Sequence, residues 1–242
     1  MLDGLKRLFS GAAPAPAPEW EEISRWAESR QFVFRGVPDE GFVIDGKLST
    51  MSWRLEWGPS QRPYIQGHEL RLRAELGLSS ELQLVLMNRE LQEAMEKAVF
   101  EQYVEGVQTR IDNQTPPEMR WLVMYPKLHG SEMAPLRDRY VALSSIKKWL
   151  QQWLEGPLSQ ALVALHIDAS VPLVLMIGRG RLSLRTALAE PDLAQLQSWL
   201  RVFETALREA RRVAQEVADT VSPSTSASLW PPSVLPDEDI SK

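Results

Sequence analysis

The chain of 242 residues is predicted to be an α+β protein, with antiparallel sheet packed by amphipathic helices. Two patterns predict this class. Trp53, Leu55 and Trp57 alternate with Arg54 and Glu56, and Leu70, Leu72, Ala74 and Leu76 alternate with Glu69, Arg71, Arg73 and Glu75. Period-two patterning puts one face of an antiparallel sheet in a core and the other in water. Near the C-terminus, Leu193, Leu196, Leu200, Phe203, Leu207, Ala210, Ala214 and Val217 recur at spacings of three and four. Trp199, Ala206 and Val213 widen this stripe beyond a coiled-coil seam, so the helix is expected to pack on a sheet. Hydrophobic residues at 44% and charged residues at 24% are ordinary globular usage.

Residues 1–18 read as a leader. Leu2, Leu5, Leu8 and Phe9 share a side of a short helix carrying Lys6 and Arg7, and an Ala-Pro alternation from Ala12 to Pro18 forms a semi-rigid tether. An N-terminal α+β half is expected over 19–112. Trp20, Ile23, Trp26 and Ala27 mark its first helix. Phe32–Phe34 and Phe42–Ile44 are short strands around a turn at Pro38–Gly41, followed by the two alternating strands. Leu82–Met87 is continuously apolar and fits an interior strand. Over 89–105, Leu91, Ala94, Met95, Ala98 and Val99 form a helical stripe.

A C-terminal α+β half is expected over 113–220. Thr115-Pro116-Pro117-Glu118 starts a helix, with Thr115 as cap, proline in the first turn and Glu118 three residues on. Tyr140–Leu143 fits a strand. Ile146, Trp149, Leu150, Trp153 and Leu154 form one helical face, and Ala161–Ile167 reads as helix or strand. Leu173–Ile177 and Leu182–Leu184 form a hairpin around Gly178-Arg179-Gly180. The element order permits two related halves. Residues 221–242 read as a disordered tail, rich in Ser and Pro and ending in Asp237, Glu238 and Asp239, with Leu229-Trp230 as an exposed apolar spot.

Several function classes are excluded or disfavoured. A net charge of −5 and a pI of about 5.4 disfavour nucleic acid as a partner. The absence of cysteine removes disulfides, thiolate nucleophiles and cysteine-ligated metals. No run approaches the roughly 20 apolar residues of a membrane span. The cytoplasm is therefore the expected location, and the richness in Leu, Ala, Arg, Pro and Trp suggests a GC-rich bacterial source.

No catalytic motif is present. His68, His129 and His166 lack the close spacing of a helical metal site. There is no Walker loop, no G-x-G-x-x-G and no G-x-S-x-G elbow. Neither a cofactor nor a metal is expected.

The residues singled out for partner binding are Arg54, Arg71 and Arg73 on the polar sheet face, Arg208, Arg211 and Arg212 on the last helix, and Leu229 and Trp230 in the tail. Glu204, four residues before Arg208, accounts for part of the helix cluster by ordinary pairing. The expected function is a non-enzymatic protein-binding adaptor or chaperone-like protein. One alternative is peripheral membrane contact through the leader, weak with a single short anchor. The other is an enzyme whose site gathers scattered polar residues such as His68, Asp112 and Asp168.

Overall fold

The alternating segments pair with one another. In the computed structural model, which describes residues 18–37, 40–104 and 115–221, eight strands form one antiparallel sheet. They are β1 (Val33–Val37), β2 (Gly41–Leu48), β3 (Met51–Pro59), β4 (His68–Glu75), β5 (Leu84–Asn88), β6 (Tyr140–Ser144), β7 (Leu173–Gly178) and β8 (Arg181–Ala187). The order across the sheet is β1-β2-β3-β4-β8-β7-β5-β6. Strands from residues 19–112 and 113–220 thus interleave, with β5 lying between β7 and β6. The helices are α1 (Glu21–Ser29), α2 (Arg89–Val104), α3 (Pro117–Met124), α4 (Lys147–Leu154), α5 (Pro157–Ala164) and α6 (Leu193–Val221). The fold is α+β.

One face of the sheet carries the main core. Phe42, Ile44, Trp53, Leu55, Leu70, Leu72, Leu182, Leu184, Leu175, Ile177, Leu84 and Leu86 pack there against α1, α4, α5 and α6. Trp153 of α4 is fully buried, and its indole N–H donates to the Ala206 carbonyl of α6 at 2.9 Å. The opposite face is divided. Over β5, β6 and β7 it is apolar, and Val85, Met87, Leu143, Val174 and Met176 pack against Leu91 and Met95 of α2 and Met119, Trp121 and Leu122 of α3. Over β2, β3, β4 and β8 it is charged.

The strand sequences encode this division. β5 and β6 are buried at every position, as are all but the last residue of β7, because helices cover both their faces. β3, β4 and β8 alternate because, among the described residues, no helix covers one of their faces.

Local chemistry explains the connections. The β7–β8 turn has just two central residues, Arg179 (φ 54°) and Gly180 (φ 73°). Positive φ at both is the geometry whose twist matches a hairpin's strands. Trp121 packs close against Gly178, where a Cβ would lie 2.6 Å from a ring carbon. Asp192 heads α6, accepting from the backbone N–H groups of Ala194 and Gln195.

Some expectations change. Pro116, not Thr115, is the residue before α3, and no side chain caps that helix. Pro117 forces the residue before it into extended geometry, which leaves Thr115 one residue too early to reach the first free N–H groups. Residues 161–164 are helical, within α5. Ile146 precedes α4 and is 47% exposed, and Ala94 of α2 is exposed while Leu91 and Met95 are buried. Phe32 lies just before β1 and packs edge-on against Trp53. Residues 38–39 of the Pro38–Gly41 turn, 1–17 of the leader and 222–242 of the tail lie outside the described residues, and Val221 is the last residue of α6.

Candidate functional site

The charged half of the sheet is organised in rows across the strands. Asp45 faces Arg54, Arg54 faces Arg73 and Arg73 faces Ser183. In the next row Glu56 faces Arg71, and Arg71 faces Arg185. Glu69 and Glu75 share this face through β4, and Arg181 and Arg185 through β8. With Arg35 and Lys47, seven basic side chains stand here against four acidic ones, on a chain whose net charge is −5. The local sign is therefore opposite to the global one.

A solvated ladder of surface ion pairs does not describe the centre of this face. Glu69 is fully buried. Its carboxylate accepts from Arg185 at 2.5 Å, from the Gln61 backbone N–H at 2.9 Å, and lies 3.5 Å from Arg71. Arg71 also reaches Glu56 at 3.3 Å and the Pro59 carbonyl at 2.9 Å. Arg73 bonds Glu56 at 2.8 Å. The Arg71 and Arg185 side chains are only 14% and 16% exposed. Carboxylates buried at the base thus fix the guanidinium groups that stand over them.

The β3–β4 connection closes one side. Arg62 and Tyr64, from that loop, both donate to Oε1 of Glu118, at 2.6 Å and 2.5 Å. Glu118 lies on α3 and is fully buried, and its Oε2 has no hydrogen-bond partner among the described residues. It serves the loop rather than the helix start. Burial and the Glu118 charge push the Tyr64 phenol far above its ordinary range, so it remains a neutral donor. Burial works against the Arg62 charge, but Glu118 outweighs it and raises the guanidinium above its usual value.

Between these walls lies a cavity of about 180 Å³, lined by Glu56, Gln61, Arg62, Arg71, Arg73, Met176, Gly178, Arg181, Ser183 and Arg185. Of the sequence-predicted residues it gathers Arg71 and Arg73, and Arg54 adjoins them through Glu56 at 4.0 Å. Arg62, Arg181 and Arg185 were not anticipated. Arg181, Ser183 and Arg185 do alternate with Leu182 and Leu184, so their common face was readable from period two. Their approach to β4 was not.

At the rim, Asp45 accepts from Arg35 and from Arg54, the latter at 2.6 Å. Burial raises its pKa, but the two arginines outweigh burial and hold the carboxyl below its ordinary value. A depressed folded-state pKa gives stability that is present above the unfolded value and lost as pH falls through the folded one. These groups are partly solvated, so Asp45→Asn is expected to cost about 0.5–1 kcal/mol at neutral pH. The difference should fade below about pH 4. Urea unfolding of both proteins between pH 7 and pH 3 measures it.

The other predicted residues stand apart. On α6, Arg208 bonds the Thr205 hydroxyl at 3.1 Å and Arg211 the Thr50 hydroxyl at 3.2 Å. Arg212 holds Glu209, Glu216 and the Gln152 carbonyl. The three serve different neighbours. Glu204 makes no ion pair with Arg208 within 4.0 Å among the described residues. Leu229 and Trp230 lie outside the described residues.

His68, named for an enzyme, is not among the residues that line the groove holding Asp168. His68 stacks on Trp57, with ring centroids 4.6 Å apart. His129 precedes a short 3-10 turn at Gly130–Met133. His166 and Asp168 line a groove of about 590 Å³ between α5 and the start of α6, floored by Leu188, Trp199 and Val202. Asp168 accepts from the Ser170 N–H and hydroxyl, which lower its pKa. That is the opposite of a carboxyl poised as a general acid. Asp112 lies outside the described residues. Among the described residues no group of three or more His, Asp or Glu side chains could hold a metal, and no helix is long and apolar enough to cross a membrane.

No family model matches the chain, and no curated protein does. Among solved structures, it is similar to the crystal structure of the mycobacterial trehalose monomycolate transport factor A, TtfA. The TM-score is 0.45 at 10% sequence identity, covering 78% of this chain and 92% of that one.

Proposed function

We propose that the chain is a non-enzymatic, cytoplasmic protein-binding adaptor, chaperone-like in kind, that takes an acidic segment of another protein on the open charged half of its sheet. One observation carries the reading: among the described residues no helix covers this half, and it presents an excess of arginine anchored from below by buried carboxylates. Preset guanidinium groups lose little side-chain freedom on binding. Complementary charge would steer an acidic partner to this face and repel basic ones. The cytoplasmic placement rests on the cysteine-free sequence.

The test uses arginines exposed enough to be replaced without harm to the fold. The Arg54 and Arg73 side chains are 39% and 45% exposed. The double variant Arg54→Gln, Arg73→Gln is expected to bind a Glu-rich peptide about tenfold more weakly, equivalent to about 1.4 kcal/mol. The same variant should lose protein partners that the wild-type chain captures from native lysate. Arg25→Gln, on the far helix α1, is the control. Equal binding by all three proteins refutes the reading.

A further inference from the structure

The cavity of about 180 Å³ has features that a flat charged face does not need. We propose that it is a binding site for a phosphate group, and that the acidic segment it receives is phosphorylated. The inference rests on the adaptor reading for its partner, but not for its chemistry.

The charge balance favours an added anion. Arg62, Arg71, Arg73, Arg181 and Arg185 line the cavity, and the carboxylates that pair with them are Glu56, Glu69, Glu75 and Glu118. Five positive charges against four negative leave one unmatched. Glu69 and Glu118 are fully buried beneath the guanidinium groups, so an incoming anion meets donors first.

Hydrogen bonding points the same way. A guanidinium has five N–H donors. Arg185 spends one nitrogen on Glu69, and Arg73 one on Glu56. Their remaining N–H groups have no hydrogen-bond partner among the described residues, in a recess where donors need acceptors. The Ser183 hydroxyl, half-buried on the same wall, has no partner among the described residues.

The arrangement also fits the shape of phosphate. Arg71 and Arg73 share Glu56, while Arg71 and Arg185 share Glu69, and all three line the same cavity. Arg62 approaches from the loop side and Arg181 from the β7–β8 turn. A planar carboxylate is satisfied by one bidentate arginine. A phosphate monoester presents three acceptor oxygens and a charge of about −1.5 to −2, and can use donors from several directions.

The test titrates the full chain with inorganic phosphate at constant ionic strength, reading arginine Nε–Hε resonances. Saturable shifts are expected at Arg71, Arg73 and Arg185. Affinity should fall about tenfold in Arg73→Gln and about threefold in Ser183→Ala, with Arg25→Gln unchanged. An unchanged amide spectrum confirms that each variant is folded. A phosphoserine peptide should bind at least about tenfold more tightly than its serine form.

Absence of saturable shifts, or equal affinity for acetate and phosphate, overturns the inference. So does binding to phosphatidic acid vesicles without binding to the phosphopeptide. If the Glu-rich peptide binds through Arg54 and Arg73 while phosphate does not, the inference fails alone. If phosphate and the phosphopeptide bind while partner capture ignores Arg54 and Arg73, the adaptor reading fails alone.

Discussion

Glu69→Ala is expected to destabilise the protein by about 3–5 kcal/mol, because removing one member of a buried ion pair leaves the other charge without compensation. Arg185, 16% exposed, has Glu69 as its only ion-pair partner among the described residues. Arg71 keeps Glu56 and the Pro59 carbonyl, so most of the loss falls on Arg185 and on the Gln61 N–H, which also donates to Glu69. Urea unfolding should show a lower midpoint with an unchanged slope. Glu69→Gln retains an acceptor and should cost less. The pair Glu69→Leu with Arg185→Leu should recover most of the stability, since apolar residues of similar size need no compensation. A loss below about 1 kcal/mol in Glu69→Ala would mean that water reaches the network, and the anchoring argument for the site would fall.

Trp153→Ala is expected to cost a further independent 3–5 kcal/mol or so, for a different reason. The ring is fully buried where α4 meets α6, and truncation opens a cavity between them. The lost bond to Ala206 contributes little, because that carbonyl sits inside α6 and keeps its helical partner. For a domain of this size the melting temperature should drop on the order of 10 °C. Val123→Ala is the control, at a side chain 60% exposed on α3, and should change stability by less than about 0.5 kcal/mol. Circular dichroism melts compare the three proteins. A fall of only a few degrees in Trp153→Ala would show that α4 and α6 collapse into the space, which close-packed interiors resist.

Much of the architecture follows from local pattern. Alternation in β3 and β4 placed Arg54, Glu56, Arg71 and Arg73 on one face, and the structure keeps them there. The continuously apolar run at Leu82–Met87 fits an interior strand, and β5 lies between β7 and β6. The stripe of α6 identified Leu196, Trp199, Leu200, Phe203 and Leu207, all buried. Side-chain direction follows from backbone period within one element.

Local reading failed where two local rules competed. At Thr115 the cap signal was present, but the second proline moved the helix start beyond its reach. Glu118 carried the pattern of a capping residue and instead joins Arg62 and Tyr64, more than fifty positions earlier. Nothing within α3 indicates that partner.

What the sequence determined by itself is most of the elements and, in the alternating strands and along α6, the face on which the side chains lie. Those properties depend on neighbours within a few residues. Only the tertiary structure decided that β8 lies beside β4, bringing Arg185 to Glu69 from 116 positions away. It also decided that α3 places a buried carboxylate under the β3–β4 loop. Strand order is fixed by the joint burial of all the apolar faces at once, and no single segment contains that sum. The arginine-lined cavity is a product of that order.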